Sequence, residues 1–206
     1  MKRGLFITFE GGEGCGKSTQ ARRLAARLRR FGRKVSLTRE PGGTKIGERI
    51  RALLKSARHN NLTAESELLL FCAARAQLVR EVIRPMLARG RVVICDRFVD
   101  STTAYQGYGR GLDLRLVCAC NELAVGDCWP DKTILLDLGA RKGLRRAAKR
   151  SKAYDRMGAL DEAFYRRVRE GFLKLARTEP KRFVVIDASL PVDEVAAQIL
   201  KCLGRI

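Results

Sequence analysis

Hydrophobic positions along this chain alternate between two rhythms. Five short apolar runs, Leu5 to Phe9, Val35 to Leu37, Val92 to Cys95, Thr133 to Leu136 and Phe183 to Ile186, are rich in β-branched and aromatic residues and read as buried strands. Between them apolar residues return at helical spacing, as in Ala21, Leu24, Ala25 and Leu28, then Ile46, Ile50, Leu53 and Leu54. Leu112, Leu116, Ala119 and Leu123 repeat the pattern, and so do Phe164, Val168, Phe172 and Leu175. A longer helix is predicted from about Thr63 to Ala88, with Thr63 as N-cap and Pro85 bending or weakening its last turns. The last helix runs from about Pro191 to Leu203, with the proline at its start. Parallel neighbours need long crossover connections, and helices stand where those are needed. The pattern therefore predicts an α/β fold: a five-stranded parallel sheet between two helical layers, in a single domain over residues 1–206.

Such a sheet gathers ligands beyond the carboxyl ends of its strands, and each predicted strand ends at or near an acid: Glu10, Glu40 after Arg39, Asp96, Asp137 and Asp187. Asp187, ahead of Ala188-Ser189, reads as a turn former. Asp96 differs because Arg97 follows at once: a carboxylate to orient Mg²⁺ or its waters, beside a guanidinium able to fork onto phosphate. After the first strand comes Gly11-Gly12-Glu13-Gly14-Cys15-Gly16-Lys17-Ser18-Thr19, which fits G-x-x-x-x-G-K-[ST] between a strand and a helix. Glycines let backbone N–H groups close on a polyphosphate, Lys17 adds a mobile cation, and the helix N-terminus adds partial positive charge. Ser18 is placed to hold Mg²⁺ through its hydroxyl.

Composition adds a large charge. Lys and Arg number 42 against 22 Asp and Glu, a net +20, which attracts nucleotides, nucleic acid and acidic membrane surfaces alike. No nucleic-acid motif accompanies the charge, so no stable nucleic-acid partner is expected. Nor does any apolar run approach a membrane span, and Met1-Lys2-Arg3-Gly4 leads into the first strand without a cleavable signal, so a cytoplasmic protein with no membrane partner is expected. The seven cysteines are odd in number and lack a C-x-x-C pair, which suggests neither a disulfide framework nor a zinc site. Cys118-Ala119-Cys120 with His59 remains the one metal candidate among them.

Three further segments carry candidate chemistry. Phe71 and Arg75 lie four residues apart on one helix face, a ring and a guanidinium suited to a flat base, although spacing alone favours a core Phe beside a surface Arg. Asp100 to Gly111 is polar and glycine-rich, a poor core element that reads as a substrate wall or a surface loop. Arg141 to Arg156, the densest basic stretch, fits a helix leading into a mobile lid over about residues 141–157; an exposed nucleic-acid-binding helix is the alternative.

Together these residues resemble the bacterial thymidylate kinase family. The resemblance runs from Leu5 to about Val195 and rests on Phe9-Glu10-Gly11, Thr38-Arg39-Glu40-Pro41-Gly42-Gly43, Phe71-Cys72-Ala73-Ala74-Arg75-Ala76-Gln77, and Asp96-Arg97-Phe98 with Ser101 and Ala104-Tyr105-Gln106-Gly107. Asp155-Arg156 and Val185-Ile186-Asp187-Ala188 agree with it. It implies a P-loop nucleoside monophosphate kinase fold and transfer of the ATP γ-phosphoryl to dTMP with Mg²⁺, in a protein that is typically a homodimer. By the same resemblance Phe71 stacks on thymine, Arg75 and Gln106 read its polar edge, and Thr102 lies beside it. Arg39, Arg51 and Arg97 surround the acceptor phosphate; Glu40 and Ser101 belong to the dTMP site. Glu13 faces the sugar 3′-hydroxyl and Tyr105 crowds the place of a 2′-hydroxyl. The phosphate loop has no arginine between Gly12 and Gly16, so the lid is expected to supply the catalytic cation, from Arg146 and Arg150, with Arg145, Lys149 and Arg156 in reserve. Two departures are Gly158, where an acid commonly follows the Asp-Arg pair, and the missing proline after the fourth strand.

Overall fold

The structure, a computed structural model, describes residues 3–59, 61–150 and 161–204, without the side chains of Ala57 and Arg150. Its sheet consists of β1 Phe6–Glu10, β2 Val35–Arg39, β3 Val92–Asp96, β4 Lys132–Asp137 and β5 Phe183–Asp187. All pairs are parallel, and the order β2-β3-β1-β4-β5 puts the first strand at the centre. The expected five-stranded α/β architecture is thus the observed one.

Alternation along the strands divides the core. Ile7, Phe9 and Ile94 point to the side covered by α1 Lys17–Arg30 and α9 Val192–Leu203, where they meet Leu24, Leu28 and Ile199. Phe6, Val93 and Cys95 point the other way, toward Leu78 and Ile83. Each large apolar side chain fully buried this way stabilises the fold by about 1.5–3 kcal/mol. On that second side lie α3 Ala64–Leu78, α4 Arg84–Ala88, α6 Leu114–Val125 and α8 Glu162–Thr178. Two shorter crossings, α2 Lys45–Lys55 and α5 Val99–Thr102, follow β2 and β3, and α7 Ala140–Arg150 follows β4. Register aligns the working edge: Arg39 pairs with Asp96, and Asp96 with Phe9. The phosphate loop and Arg97 consequently leave the sheet side by side.

Thr63 caps α3 by accepting from the Ser66 N–H at 3.2 Å, as expected. Pro85 acts differently from a simple bend. Residues Val79–Ile83 widen into a π-helical turn, with the Arg84 N–H bonded to Val79 O, and the helix continues through the proline. The wider turn absorbs the hydrogen bond that proline cannot donate. Pro191 stands at the N-cap, one residue ahead of the helix. Asp187 accepts from the Ser189 N–H at 2.7 Å and forms the expected turn.

The reading of Asp100–Gly111 as a poor core element is corrected. It is helical, α5 running into a π-helical stretch Thr103–Gly109, and Thr103 to Gly107 are buried. Small residues allow that burial: a side chain on Gly109 would stand 2.7 Å from the Phe164 ring, and Tyr105 packs edge-on against Phe164 and Phe172. Its polar groups find partners in the interior, which composition alone did not show.

Candidate active site

The phosphate loop is shaped by positive φ at Gly11, Gly14 and Gly16. Inside it, Lys17 Nζ donates to the carbonyls of Gly11 (3.0 Å) and Gly12 (2.7 Å) and to Cys15 Sγ (3.4 Å). Cys15 itself sinks into the α1-side core, so this position offers a ligand its backbone. Thr19 closes the first turn of α1 by bonding to Gly16 O at 3.1 Å. The loop also touches α7 backbone to backbone. A Cβ on Gly14 would lie 2.1 Å from Gly143 O, and one on Gly143 would lie 2.3 Å from Glu13 O. Either side chain would push α7 away from the phosphate loop. From α7, Arg146 Nη1 donates to Ala188 O at 2.9 Å, beyond β5.

Ser18 and Asp96, the two residues singled out for Mg²⁺, are in contact, the hydroxyl donating to the carboxylate. Among the described residues no group of three or more His, Cys, Asp and Glu could hold a metal, which removes the Cys118-Cys120-His59 candidate. All seven cysteines are free.

Arg97 is the junction of the site. Its φ of 70 is an uncommon conformation for a non-glycine residue, costing about 1 kcal/mol or more, and its surroundings over-determine it. The Arg97 N–H bonds to Phe9 O at 2.9 Å. Nη1 donates to Gly11 O and Ser101 Oγ, both at 3.1 Å; Nη2 donates to Glu13 Oε1 at 2.6 Å and Tyr105 OH at 3.1 Å. The Tyr105 hydroxyl donates in turn to Glu13 Oε1 at 3.1 Å. Burial alone would raise the Glu13 carboxyl, yet Arg97, Lys17 and the Tyr105 bond outweigh it and hold it down to about 2. Beneath this junction Glu10, fully buried, accepts from the N–H groups of Phe98 (2.7 Å) and Ser101 (3.3 Å) and from Ser101 Oγ (2.5 Å). Burial and then neighbouring Asp100 push its carboxyl up to about 8, against the opposing pull of Ser101 and Arg97. Glu10 thereby secures the turn that carries Arg97.

One face of α3 forms the wall opposite. Arg75 is 1% exposed: Nε and Nη2 hold Glu40 Oε2 at 2.9 and 2.7 Å, Nη1 reaches Asn121 Oδ1 at 2.8 Å, and Nη2 also reaches Thr102 Oγ1 at 2.8 Å. Among the described residues the second Nη1 hydrogen has no acceptor. Burial raises the Glu40 carboxyl while Arg75 opposes it, and Glu40 Oε1 is left without a partner among the described residues. Eight residues earlier, fully buried Glu67 accepts from Gln106 Nε2 at 2.7 Å and pairs with Arg110. Phe71, half-buried, lies midway along this face. The expectation from spacing of a core Phe and a surface Arg is therefore reversed, because Glu40 and Asn121 draw the guanidinium inward. Arg39 and Arg51 occupy the turn after β2, whose Glu40–Pro41 peptide is cis: Arg39 Nη2 bonds to both Glu48 oxygens, at 2.9 and 3.0 Å, and Arg51 Nη1 bonds to Pro41 O at 2.8 Å.

Residues 9–199 match the family model described as thymidylate kinase. The chain belongs to the thymidylate kinase family. It is 52% identical to the thymidylate kinase of Deinococcus radiodurans, over 97% of this chain and 96% of that one. It is 50% identical to that of Geobacter sulfurreducens, with the same two shares. The crystal structure of thymidylate kinase from Ehrlichia chaffeensis superposes with a TM-score of 0.79 at 39% identity, covering 98% of this chain and 99% of that one.

Of the residues that the family resemblance nominated, the structure joins Lys17, Glu13, Arg97, Ser101 and Tyr105 into one network at the loop. Glu40, Arg75 and Thr102 form a second, and Gln106 is tied to the same α3 face. Arg146 stands on the α7 turn that touches the loop, while Arg150 ends that helix with its side chain outside the described residues, as are Asp155, Arg156 and Gly158. Sequence reasoning missed Glu67, Asn121 and Arg110, and it noted Glu10 only as a strand-end acid. Glu67 carried one usable signal: it precedes Phe71 by one helical turn, as Phe71 precedes Arg75.

Proposed function

We propose that the protein transfers the γ-phosphoryl group of ATP to dTMP by direct in-line displacement, giving dTDP and ADP in dTTP synthesis. The observation that carries this reading is the bridging position of Arg97, which bonds at once to the phosphate loop through Gly11 and Glu13 and to the acceptor wall through Ser101 and Tyr105. A donor loop and an acceptor site that share one guanidinium suit transfer between two bound phosphates. In that transfer the protein chiefly positions the groups and neutralises charge.

The loop amides and Lys17 hold the ATP phosphates, with Arg97, Arg39 and Arg51 on the acceptor phosphate. Phe71 stacks on the base, Arg75, Thr102 and Gln106 read its edge, and Glu40 acts through Arg75. Glu13 takes the 3′-hydroxyl, and the Tyr105 ring fills the space of a 2′-hydroxyl. Ser18 and Asp96 are a hydroxyl and a carboxylate in contact, a hard-oxygen pair that fits Mg²⁺, an ion that takes few protein ligands and keeps water and phosphate oxygens. When bound there, Mg²⁺ would offset charge on the transferring phosphates. Arg146 and Arg150 supply the remaining cation from a lid over about residues 141–157 of a single domain.

The same reading includes a cytoplasmic homodimer. Among the described residues no helix is long and apolar enough to cross a membrane. Leu69 on α3 and Leu116 and Leu123 on α6 are exposed, apolar surface suited to a second copy. ADP release with MgATP across deoxy and ribo nucleoside monophosphates tests the assignment. dTMP should exceed the others by at least about tenfold in kcat/KM; equal use of cytidylate or adenylate would refute it.

A further inference from the structure

We infer that Glu67 is a positioning residue that sets base specificity, by holding the Gln106 amide with its oxygen toward the base edge. The inference rests on the reading of Gln106 as a base contact and adds the group that decides which end of its amide is offered.

A primary amide has a donor end and an acceptor end of nearly the same shape, so packing alone does not choose between its two flips. Here a carboxylate chooses. Glu67 is fully buried on α3, and its Oε1 lies 2.7 Å from Gln106 Nε2. Arg110 holds the same carboxylate through Nε at 3.3 Å to Oε1 and Nη2 at 3.0 Å to Oε2, so the carboxylate faces the amide as a charged acceptor. Turning the amide over would set two acceptor oxygens against each other in a buried site. Gln106 Oε1 is thereby committed to the side away from Glu67.

Two turns along the same face Arg75 carries only N–H groups, fixed by Glu40 and Asn121. The wall thus presents a donor at one end and an acceptor at the other, with Phe71 between them. Thymine and uracil answer with O4, an acceptor, and N3–H, a donor. Cytosine has the opposite pair, an N4 amino donor and a bare N3 acceptor, and is mismatched at both positions. A site built on fixed hydrogen bonds discriminates far more strongly than an apolar slot of the same size.

The test compares kcat/KM for dTMP, dUMP and dCMP in the wild type, Glu67→Gln and Gln106→Leu. dUMP and dCMP differ in the edge, whereas dTMP and dUMP differ only in the methyl group. A glutamine at 67 can face Gln106 with either end, so the dUMP/dCMP ratio should fall at least about tenfold while the dTMP/dUMP ratio stays within about twofold. An unchanged dUMP/dCMP ratio, or an equal loss for all three substrates, overturns the inference and marks Glu67 as purely structural. Gln106→Leu separates the two levels. If it lowers the dUMP/dCMP ratio and Glu67→Gln does not, the base-contact reading stands and the role of Glu67 falls. If Gln106→Leu leaves the ratio unchanged, the base-contact reading itself falls. Should Glu67→Gln not yield folded protein, Glu67→Asp takes its place, withdrawing the same carboxylate by one methylene. A ratio lowered at least about threefold then supports the inference, and an unchanged one overturns it.

Discussion

In the proposed acceptor site three guanidiniums are each held by a carboxylate: Arg75 by Glu40, Arg110 by Glu67, Arg97 by Glu13. On α7, by contrast, Arg141, Lys142, Arg145, Arg146 and Lys149 share a helix with no acid, and among the described residues no ion pair reaches them. Among the described residues Arg146 bonds to a neutral carbonyl, Ala188 O. The difference fits the roles proposed for the two regions. A base has one shape throughout the reaction, so the groups that read it gain from being fixed before it arrives, and a buried ion pair fixes them at the cost of desolvation. Charge on a transferring phosphoryl group changes during the reaction. A cation that answers it gains from being uncommitted beforehand, because a carboxylate partner would compete with the transition state.

Four expectations break or sharpen this contrast. Arg97→Ala, which removes the link between the phosphate loop and the acceptor wall, should lower kcat/KM by about 10³-fold in steady-state assays, and a loss under tenfold would deny it the junction role. Arg75→Ala strands Glu40 in the interior with neither oxygen paired, and denaturant unfolding should show a loss of about 3–5 kcal/mol besides weaker dTMP binding. A stability loss below about 1 kcal/mol would mean the wall is not organised by this pair. Arg146→Ala should behave in the opposite way, lowering kcat by about 10- to 100-fold with KM for dTMP and unfolding free energy nearly unchanged. A raised KM with kcat intact would instead place Arg146 among the fixed binding groups.

The last expectation concerns Glu10. In the folded protein its carboxyl is raised to about 8, whereas its ordinary value is 4.5. Between those two values the native chain holds a proton that the unfolded chain has released, so stability falls as pH rises through that window. Glu10→Gln should flatten this slope in unfolding measured from pH 5 to 8; an unaltered slope would assign it to other groups.

Much of this molecule was legible in one dimension. Strand positions, the phosphate loop, the cap at Thr63, the turn at Asp187 and the basic helix after β4 all follow from periodicity and from motifs whose residues are covalent neighbours. The site was legible only as a set of names. Phe71 and Arg75 could be placed on one face, but spacing made the arginine a surface residue, since nothing nearby in sequence shows that Glu40 and Asn121 await it inside. Asp100–Gly111 looked unfit for a core because its partners, Glu10, Glu67 and Arg182 among them, lie elsewhere in the chain.

Sequence by itself determined the strands, most of the helices and the phosphate-binding loop, because hydrophobic rhythm and glycine placement act over a few residues. Tertiary structure alone decided which charges are pinned. Arg75 meets Glu40 across 35 residues, Gln106 meets Glu67 across 39, and Ser101 meets Glu10 across 91. Those meetings depend on sheet register and helix docking, which bring together oxygens and N–H groups that no local pattern relates.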